Sequence, residues 1–567
     1  MKIGAIILAR LTSSRLPGKG LKLINGKPIL KHIVDAIGKC KHIDEVIIAT
    51  SNNNEDDELE VFCKKNNIKL YRGCLDDVAG RFLSAANKYA LTHAVRINGD
   101  NLFVNPALID EICLMAEQDY DFISNVPGRT FPKGMSVELV HVKKYEELYE
   151  KFTHASHFEH VTTYLYEQRK SLEHHYVENL EVLEASGVQL AIDTQYDFEL
   201  AKLVFDSGFF LDYKLDLHSL ILMISLCEEK MNFVGKHGPL LIAEIGGNHE
   251  GNFEYAKKLT QLAIESDSDF VKFQMYSGNS LVNPVESPER HKHFKKFELS
   301  REQYIELAKM VTDAGKRFMA SIWDLKMIDW VDEYNPVYKI GSGDLLAWPL
   351  LKSVSLRGKP IILSTGLATE EEVVSAVKYI RTCNPLYNDP AYLSVLQCTS
   401  MYPIPKSAAN LDVMLRLNEI TGATMGYSDH TEGVDALKVA TTMGAKVLEF
   451  HFTDQREGKL FRDHKVSLTK DEVLDLIEYI KMVNTLKGDR VKKPVAIEID
   501  NGHVESFRRA IYPSRPISKG QTITEDDIVV LRPSHGLSSR YYDDVIGKKS
   551  TRDLAAHEKL SWDDFSQ

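Results

Sequence analysis

The sequence lacks the features that commit a chain to a cell surface or a membrane. Its seven cysteines (Cys40, Cys63, Cys74, Cys113, Cys227, Cys383 and Cys398) are scattered and form no C-x-x-C pair. That pattern argues against a disulfide framework and fits reduced thiols in a cytoplasm. Long apolar runs are missing too. AIILA near the start is too short for a signal sequence and reads as a strand, and SLILMISL (Ser219 to Leu226) is too short to cross a bilayer. No low-complexity segment and no short repeat is apparent. Positive charge is in deficit: 69 Lys and Arg against 81 Asp and Glu leave a net charge of -12 and a pI near 6.0. A general nucleic-acid binder is thereby disfavoured. Phosphorylated small molecules are not, since a few local cations suffice to hold them. What remains is ordinary for globular chains, 44% hydrophobic and 26% charged, and 567 residues predict about three or four domains.

Two short apolar runs late in the chain each end in a histidine, His430 after MGYSD and His451 after VLEF, with a helix-length spacer between them. Parallel strands of a βαβ unit would bring both imidazoles to one sheet edge. With Asp429, Glu449 and Asp463 nearby they make a partial ligand set for a divalent metal.

The first third alternates strand and helix from KIGAIILA onward, which predicts a doubly wound parallel sheet with its ligand beyond the strand ends. The loop ARLTSSRLPGKGL carries Arg10, Arg15 and Lys19 among Ser13, Ser14, Gly18 and Gly20. Small residues let a backbone approach a phosphate and the cations neutralise it. Asp100 lies at a later strand end, and Asp193 arrives in LAIDTQYDFEL. Two carboxylates plus triphosphate oxygens suit magnesium.

ARLTSSRLPGK, RINGDN, FPKGMSVEL and AIDTQYDFEL, in order over about the first 205 residues, resemble the cytidylyltransferases that activate acidic sugars, the spore-coat polysaccharide type in particular. The resemblance implies transfer of CMP from CTP to a 2-keto sugar acid with Mg2+. It places Ala9, Arg10, Ser14, Arg15 and Lys19 at the nucleotide and Asp100 and Asp193 at the metal. Leu11-Thr12 stands where Met-Gly is common in that family, and Asn101 to Asn105 departs from its Asn-Pro-Leu-Ile-Asp.

After a helix ending near Lys230, MNFVGKHG reads as a short linker with two glycines. From Gly238 a strand-helix pattern repeats eight times over about 250 residues, the size of a (β/α)8 barrel with its site at the carboxyl ends of the strands. The predicted strands are LLIAEIG, FVKFQ, RFMASIW, VYKIGSG, PIILSTG, LSVLQC, TMGYSDH and VLEFHF. Their ends present Glu244, Asn248 and His249; Lys272 and Gln274; Ser321 and Asp324; Lys339 and Ser342; Ser364 and Thr365; Thr399, Ser400 and Tyr402; then the two histidines. Two lysines and several hydroxyls in one mouth form an anion site.

AEIGGNHEG, VKFQ, YKIGSGD, STG, CTSMYP, GYSDHT and FHFT closely resemble the sialic acid synthase family. The resemblance implies condensation of phosphoenolpyruvate with an N-acyl hexosamine and release of phosphate. It puts a divalent metal, Mn2+ or Mg2+, on His430 and His451. Lys272, Lys339, Ser342 and Ser364 would hold phosphate and carboxylate, Glu244, Gln274, Tyr402 and Asp463 would face the sugar, and Asn248, Ser321, Thr399 and Glu449 would bind substrate. Phe450 and Phe461-Arg462 depart from the family on the sugar side. The acceptor is therefore N-acetylmannosamine or a 2,4-diacetamido-6-deoxy hexose, the latter leading to legionaminic- or pseudaminic-type acids.

After a charged stretch (487–506) the tail has short strands, Gly turns and two Thr/Ser-x-Asp-Asp-type caps, and resembles the antifreeze-like (SAF) domain that ends such synthases. That likeness implies a domain-swapped homodimer, with Arg532 of VLRPSHG entering the partner's barrel. The division reads 1–230, 238–486 and 507–567: a cytoplasmic α/β chain of two consecutive activities, with no nucleic-acid or membrane partner. The alternative is a synthase whose N-terminal domain is a non-catalytic binding or oligomerisation module.

Overall fold

The apolar run Ile3–Leu8 (β1) is flanked on both sides by parallel strands, Glu45–Ser51 (β2) and His93–Asn98 (β4), and so reads as continuously hydrophobic. Lys69–Gly73 (β3) extends the parallel set at one edge. Beyond β4 the sheet becomes mixed. Glu138–His141 (β6) runs antiparallel to both β4 and Phe122–Ser124 (β5), and His174–Tyr176 (β7) lies parallel to β5, giving the order β3-β2-β1-β4-β6-β5-β7. The parallel expectation thus holds for four strands. The chain between β5 and β6 carries no crossover helix, and a parallel return needs one. Separate apolar clusters cover the two faces, one built on Ile29, Ile33 and Leu108, the other on Phe82 and Tyr145.

These features come from a computed structural model that describes residues 1–567 except 14, 169, 209–215, 229, 489–491 and 567. The described chain forms two compact units, Met1–Lys487 and Gly488–Gln567. No helix among the described residues is long and apolar enough to cross a membrane.

The same first unit holds a closed barrel of eight parallel strands: Gly238–Glu244 (β8), Phe270–Met275 (β9), Arg317–Ile322 (β10), Tyr338–Ile340 (β11), Ile361–Ser364 (β12), Leu393–Cys398 (β13), Thr424–Asp429 (β14) and Val447–His451 (β15). Closure is by β8 against β15, with Glu244 opposite His451. Alternate residues of a strand face alternate sides. Inside the barrel's lower end this gives an apolar layer of Leu240, Ile242, Phe270, Met319, Ile362, Leu396 and Val447. Higher on the same inward face come Glu244, Lys272, Lys339, Glu449 and His451. Outward positions, among them Ala243, Phe273 and Phe450, pack against the helices. Phe450 is therefore not on the sugar side: its neighbours Glu449 and His451 face inward, so it must face out.

MNFVGKHG is a staple, not a loose linker. Met231 is buried in the core of the first sheet, while Phe233, two residues on, plugs the lower end of the barrel. Val234–Gly235 pairs antiparallel with the start of β8. A Cβ on Gly235 would lie 2.3 Å from both Pro239 O and Asp269 Oδ2, so only glycine fits this close approach.

The second unit packs Ile511, Ile517, Ile523, Ile528, Val545, Leu554 and Leu560 into a small core. It also contains a repeat that the sequence reading missed. Pairing of Tyr512–Pro513 with Ile528–Val529 recurs thirty-seven positions later as Lys549–Ser550 with Phe565–Ser566. The capping boxes Thr524/Asp527 and Ser561/Asp564 recur at the same offset, as do the ion pairs Arg515–Asp527 and Arg552–Asp564. Side-chain identities have diverged too far for the repeat to stand out in the letters.

Candidate active sites

At the carboxyl end of the first sheet the loop after β1 is anchored by Asp56, which accepts from Leu11 N at 2.7 Å and from Thr50 and Ser51. Asp56 has no signal in the letters, because its role is visible only once β2 and the loop are side by side. Gly99 packs against the loop, and a Cβ there would lie 2.8 Å from that of Ala9. Arg10 is exposed. Ser14 lies outside the described residues. Lys19 sits at the centre: its ammonium is 2.6 Å from Asp100 Oδ2, 3.2 Å from Asp193 Oδ1 and 2.9 Å from Ile192 O. Arg15 Nη2 adds 3.0 Å to Asp193 Oδ1. The two carboxylates therefore converge on one cation. An ammonium occupies the position between them, and the same two carboxylates would suit a divalent ion taken up with nucleotide.

The barrel mouth contains a buried quartet of charges. Lys272 pairs with Glu244 and lies 3.6 Å from Glu449, and Lys339 lies 3.5 Å from the other oxygen of Glu449. Ser321 accepts from Lys272 at 3.1 Å, Ser364 from Lys339 at 2.7 Å, and Ser428 donates to Glu449 at 3.0 Å. Burial favours neutral carboxyls, but two lysines and a hydroxyl hold Glu449 down to about 2. Glu244 has one lysine and the charge of Glu449 against it, and burial pushes it up to about 7. Burial lowers Lys339, whereas its two carboxylate neighbours outweigh burial at Lys272 and raise it. Gln274 lies beside Glu244 across Gly246. Ser342 Oγ accepts from Gly366 N at 3.0 Å on the same rim.

The histidines meet as the strand order requires, with ring centroids 5.3 Å apart and Tyr402 lying 4.0 Å from His430. His430 Nδ1 is 2.7 Å from the carbonyl of Thr399. A carbonyl only accepts, so Nδ1 carries the proton and Nε2 keeps its lone pair for a ligand. His451 Nδ1 is buried without a hydrogen-bond partner, and Asp463 Oδ2 is 3.9 Å away. Burial keeps both imidazoles neutral, lowering His430 and pushing His451 well down. Two imidazoles whose neutral forms burial favours, one with an orphaned nitrogen, would suit a divalent metal. Among the described residues no three or more His, Cys, Asp or Glu side chains form a ready-made cage.

Some sequence-based assignments change. Asp429 is spent on Tyr427 OH and on Thr431, so it braces its own loop and is not a metal ligand. Glu449 belongs to the lysines. Asn248 donates to Phe452 O at 2.9 Å and Ser467 Oγ at 2.8 Å, leaving only its carbonyl oxygen for another partner. The Thr399 hydroxyl is tied to Ala408 O at 2.8 Å, and it is the Thr399 carbonyl that faces the site. Thr365 donates to Leu396 O, and Asp324 caps a helix. His249 is buried, accepting from Gly251 N. Residues missed were Ser428, which the two-residue alternation of MGYSDH would have pointed inward, and Asp344, a half-buried carboxyl on the rim pushed up to about 6 by burial. Phe461 does stay at the mouth, stacked on His293 at 5.9 Å and packed against Phe297 at 5.1 Å. In the second unit Arg532 is exposed, its guanidinium over the Phe507 ring at 5.8 Å.

A mixed α/β sheet followed by a closed eight-stranded barrel with a lysine-histidine mouth is the architecture of an α/β enzyme, and comparison with known proteins narrows the class. Residues 4–267 match the cytidylyltransferase family, 259–492 the NeuB family and 508–566 the SAF domain. An uncharacterized protein of Methanocaldococcus jannaschii is 34% identical over 337 residues, 59% of this chain and 96% of that protein. N,N'-diacetyllegionaminic acid synthase of Legionella pneumophila is 32% identical over 340 residues, 57% and 93% respectively. A structure assigned as spore coat polysaccharide biosynthesis protein E from Chromobacterium violaceum shares the fold, with a TM-score of 0.51 at 22% identity over 58% of this chain and 100% of that one. The chain belongs to the NeuB family, with a cytidylyltransferase domain before the barrel and a SAF domain after it.

Proposed function

We propose that this chain makes and then activates a nine-carbon 2-keto-3-deoxy sugar acid, with the work divided among 1–230, 238–486 and 507–567. In the barrel, phosphoenolpyruvate condenses with an N-acyl hexosamine and phosphate is released. In the first sheet, CMP passes from CTP to the acid and pyrophosphate is released. The observation that carries the reading is the single mouth in which Lys272 and Lys339 flank Glu449 while His430 and His451 sit beside them.

Lys272 and Lys339, with Ser321, Ser342 and Ser364, bind the phosphate and carboxylate of phosphoenolpyruvate. Its methylene carbon attacks the sugar aldehyde, water adds at the enol carbon, and the C–O bond to phosphate breaks. Glu244, raised to about 7, takes the proton that the water loses and returns it to the new alkoxide. A divalent ion such as Mn2+ or Mg2+ on His430 and His451 would supply Lewis-acid polarisation of the aldehyde. Gln274, Tyr402 and Asp463 line the sugar side. The apolar wall of Phe461 and Phe297 suits an acceptor with a methyl group at C6, and a relative is named N,N'-diacetyllegionaminic acid synthase. We therefore favour a 2,4-diacetamido-6-deoxy hexose over N-acetylmannosamine.

In the first sheet Arg10, Arg15 and Lys19 hold the triphosphate, and Asp100 and Asp193 would hold Mg2+, which supplies charge neutralisation at the reacting phosphate. The loops after β12, β13 and β15 expose Leu367 (80%), Met401 (65%) and Leu460 (96%) at the barrel rim. A homodimer in which each SAF domain covers the partner's mouth would bury these side chains. The test is mass spectrometry of products from phosphoenolpyruvate, CTP and a panel of hexosamines. A CMP-linked nine-carbon acid from the diacetamido sugar is expected, and no product from any hexosamine overturns the reading.

A further inference from the structure

The helix Gln195–Asp206 begins two residues after Asp193, and its start is gripped from outside its own domain. The first amides of a helix have no partner within it. Thr194 and Asp197 form a reciprocal cap, with Asp197 Oδ2 also accepting from Asp193 N at 3.0 Å. The amide of Gln195 instead donates to the carbonyl of Lys236, at 3.1 Å, in the turn that leads into β8. That turn is rigid. Lys236 N donates to Asp269 Oδ1 at 2.8 Å, its ammonium is 2.6 Å from Asp267, and the strand Val234–Gly235 beside it is paired with β8. The next residue, Tyr196, lies near Arg317, whose guanidinium covers Phe270 at 4.3 Å on the same end of the barrel. On the other side Ile192 N donates to Asp100 O at 3.0 Å, so the two carboxylate segments are tied to one another and to the barrel.

We infer that the closed end of the barrel positions the transferase centre, and that the Gln195 amide to Lys236 carbonyl bond holds Asp193 at the spacing from Asp100 that a divalent ion with nucleotide requires. This rests on the reading of Asp100 and Asp193 as the metal carboxylates. Gln195 is a positioning residue: it acts through its backbone, two residues from the group it places. The barrel is thus more than a second enzyme on the same chain, because it is the seat on which the first is held.

Gln195→Pro in the full chain removes the amide together with the side-chain bond from Gln195 Nε2 to Glu199 Oε1, and Gln195→Ala removes only the side-chain bond. Proline is favoured at the first helical position, and Thr194, at φ -126° and ψ 170°, already has the extended backbone that precedes a proline. Calorimetric binding of Mg2+-CTP is expected to weaken about five- to tenfold, the worth of one hydrogen bond. Condensation in the barrel should keep its kcat and KM, which reports that the variant is folded. Gln195→Ala, which keeps the amide, should bind as wild type does. In wild type the Gln195 amide should exchange with deuterium more slowly than a free peptide. Equal Mg2+-CTP binding by Gln195→Pro and wild type, or free-peptide exchange at that amide, overturns the brace and leaves the transferase reading standing. Failure of wild type to bind Mg2+-CTP at all overturns both.

Discussion

Lys19 donates a hydrogen bond of 2.6 Å to Asp100 and lies 3.2 Å from Asp193, between the two carboxylates proposed to hold Mg2+. An ion arriving without nucleotide must displace the ammonium. With nucleotide, the ammonium has triphosphate oxygens to move to. Calorimetry should therefore show weak Mg2+ binding that strengthens with CTP. Lys19→Met should tighten binding of Mg2+ alone and weaken CTP. If Mg2+ alone binds no better to the variant, the ammonium is not its competitor.

Asp100→Asn or Asp193→Asn should reduce CMP transfer at least a hundredfold, because one carboxylate leaves the metal poorly held. Phosphate release from phosphoenolpyruvate should be unchanged, since the barrel mouth is a separate site. A coupled pyrophosphate assay run beside a phosphate assay separates the two effects.

His430→Ala or His451→Ala should have the opposite effect. Condensation falls below detection while supplied sugar acid is still activated by CTP. A chelator should abolish wild-type condensation, and added Mn2+ or Mg2+ should restore it. Full condensation by either variant removes these imidazoles from the metal site.

The barrel mouth and the proposed transferase centre lie at opposite ends of the barrel. Asp193 is beside the turn at Lys236, before β8, whereas Glu244 and His451 end β8 and β15. Seven residues of β8 separate the two by roughly 20 Å. Sugar acid should therefore pass between the sites through solvent. With labelled phosphoenolpyruvate, unlabelled sugar acid added to the mixture should dilute the label of the CMP-sugar in proportion. Label that resists dilution indicates a protected route.

Arg532 is exposed near Phe507 on the small C-terminal unit. If it completes the partner's barrel, Arg532→Ala should raise the KM of the hexosamine more than that of phosphoenolpyruvate. Heterodimers of Arg532→Ala and His451→Ala subunits contain one barrel with both an intact histidine and an intact arginine. Condensation should partly recover in them. Purified heterodimers no more active than the better parent show that the arginine does not act in trans.

Much of this was legible in the letters, and for one reason. Strand side chains alternate, so Glu244, Lys272, Lys339, Glu449 and His451 fell on inward positions of eight recognisable runs, and strand order brought the two histidines together. The letters alone marked the four parallel strands of the first sheet and the eight of the barrel, the order of the three parts and the candidate residues, but not the mixed half of the first sheet. The tertiary structure decided how each polar group is spent. It satisfied Asp429 within its own loop and gave Glu449 to two lysines. It turned Phe450 outward and made a staple of Met231 and Phe233. It also set the Gln195 amide against the carbonyl of Lys236. Periodicity reports which way a side chain points, but a hydrogen bond or a charge pair depends on which residue, distant in the chain, comes within about 3 Å of it, and only the packed fold sets that.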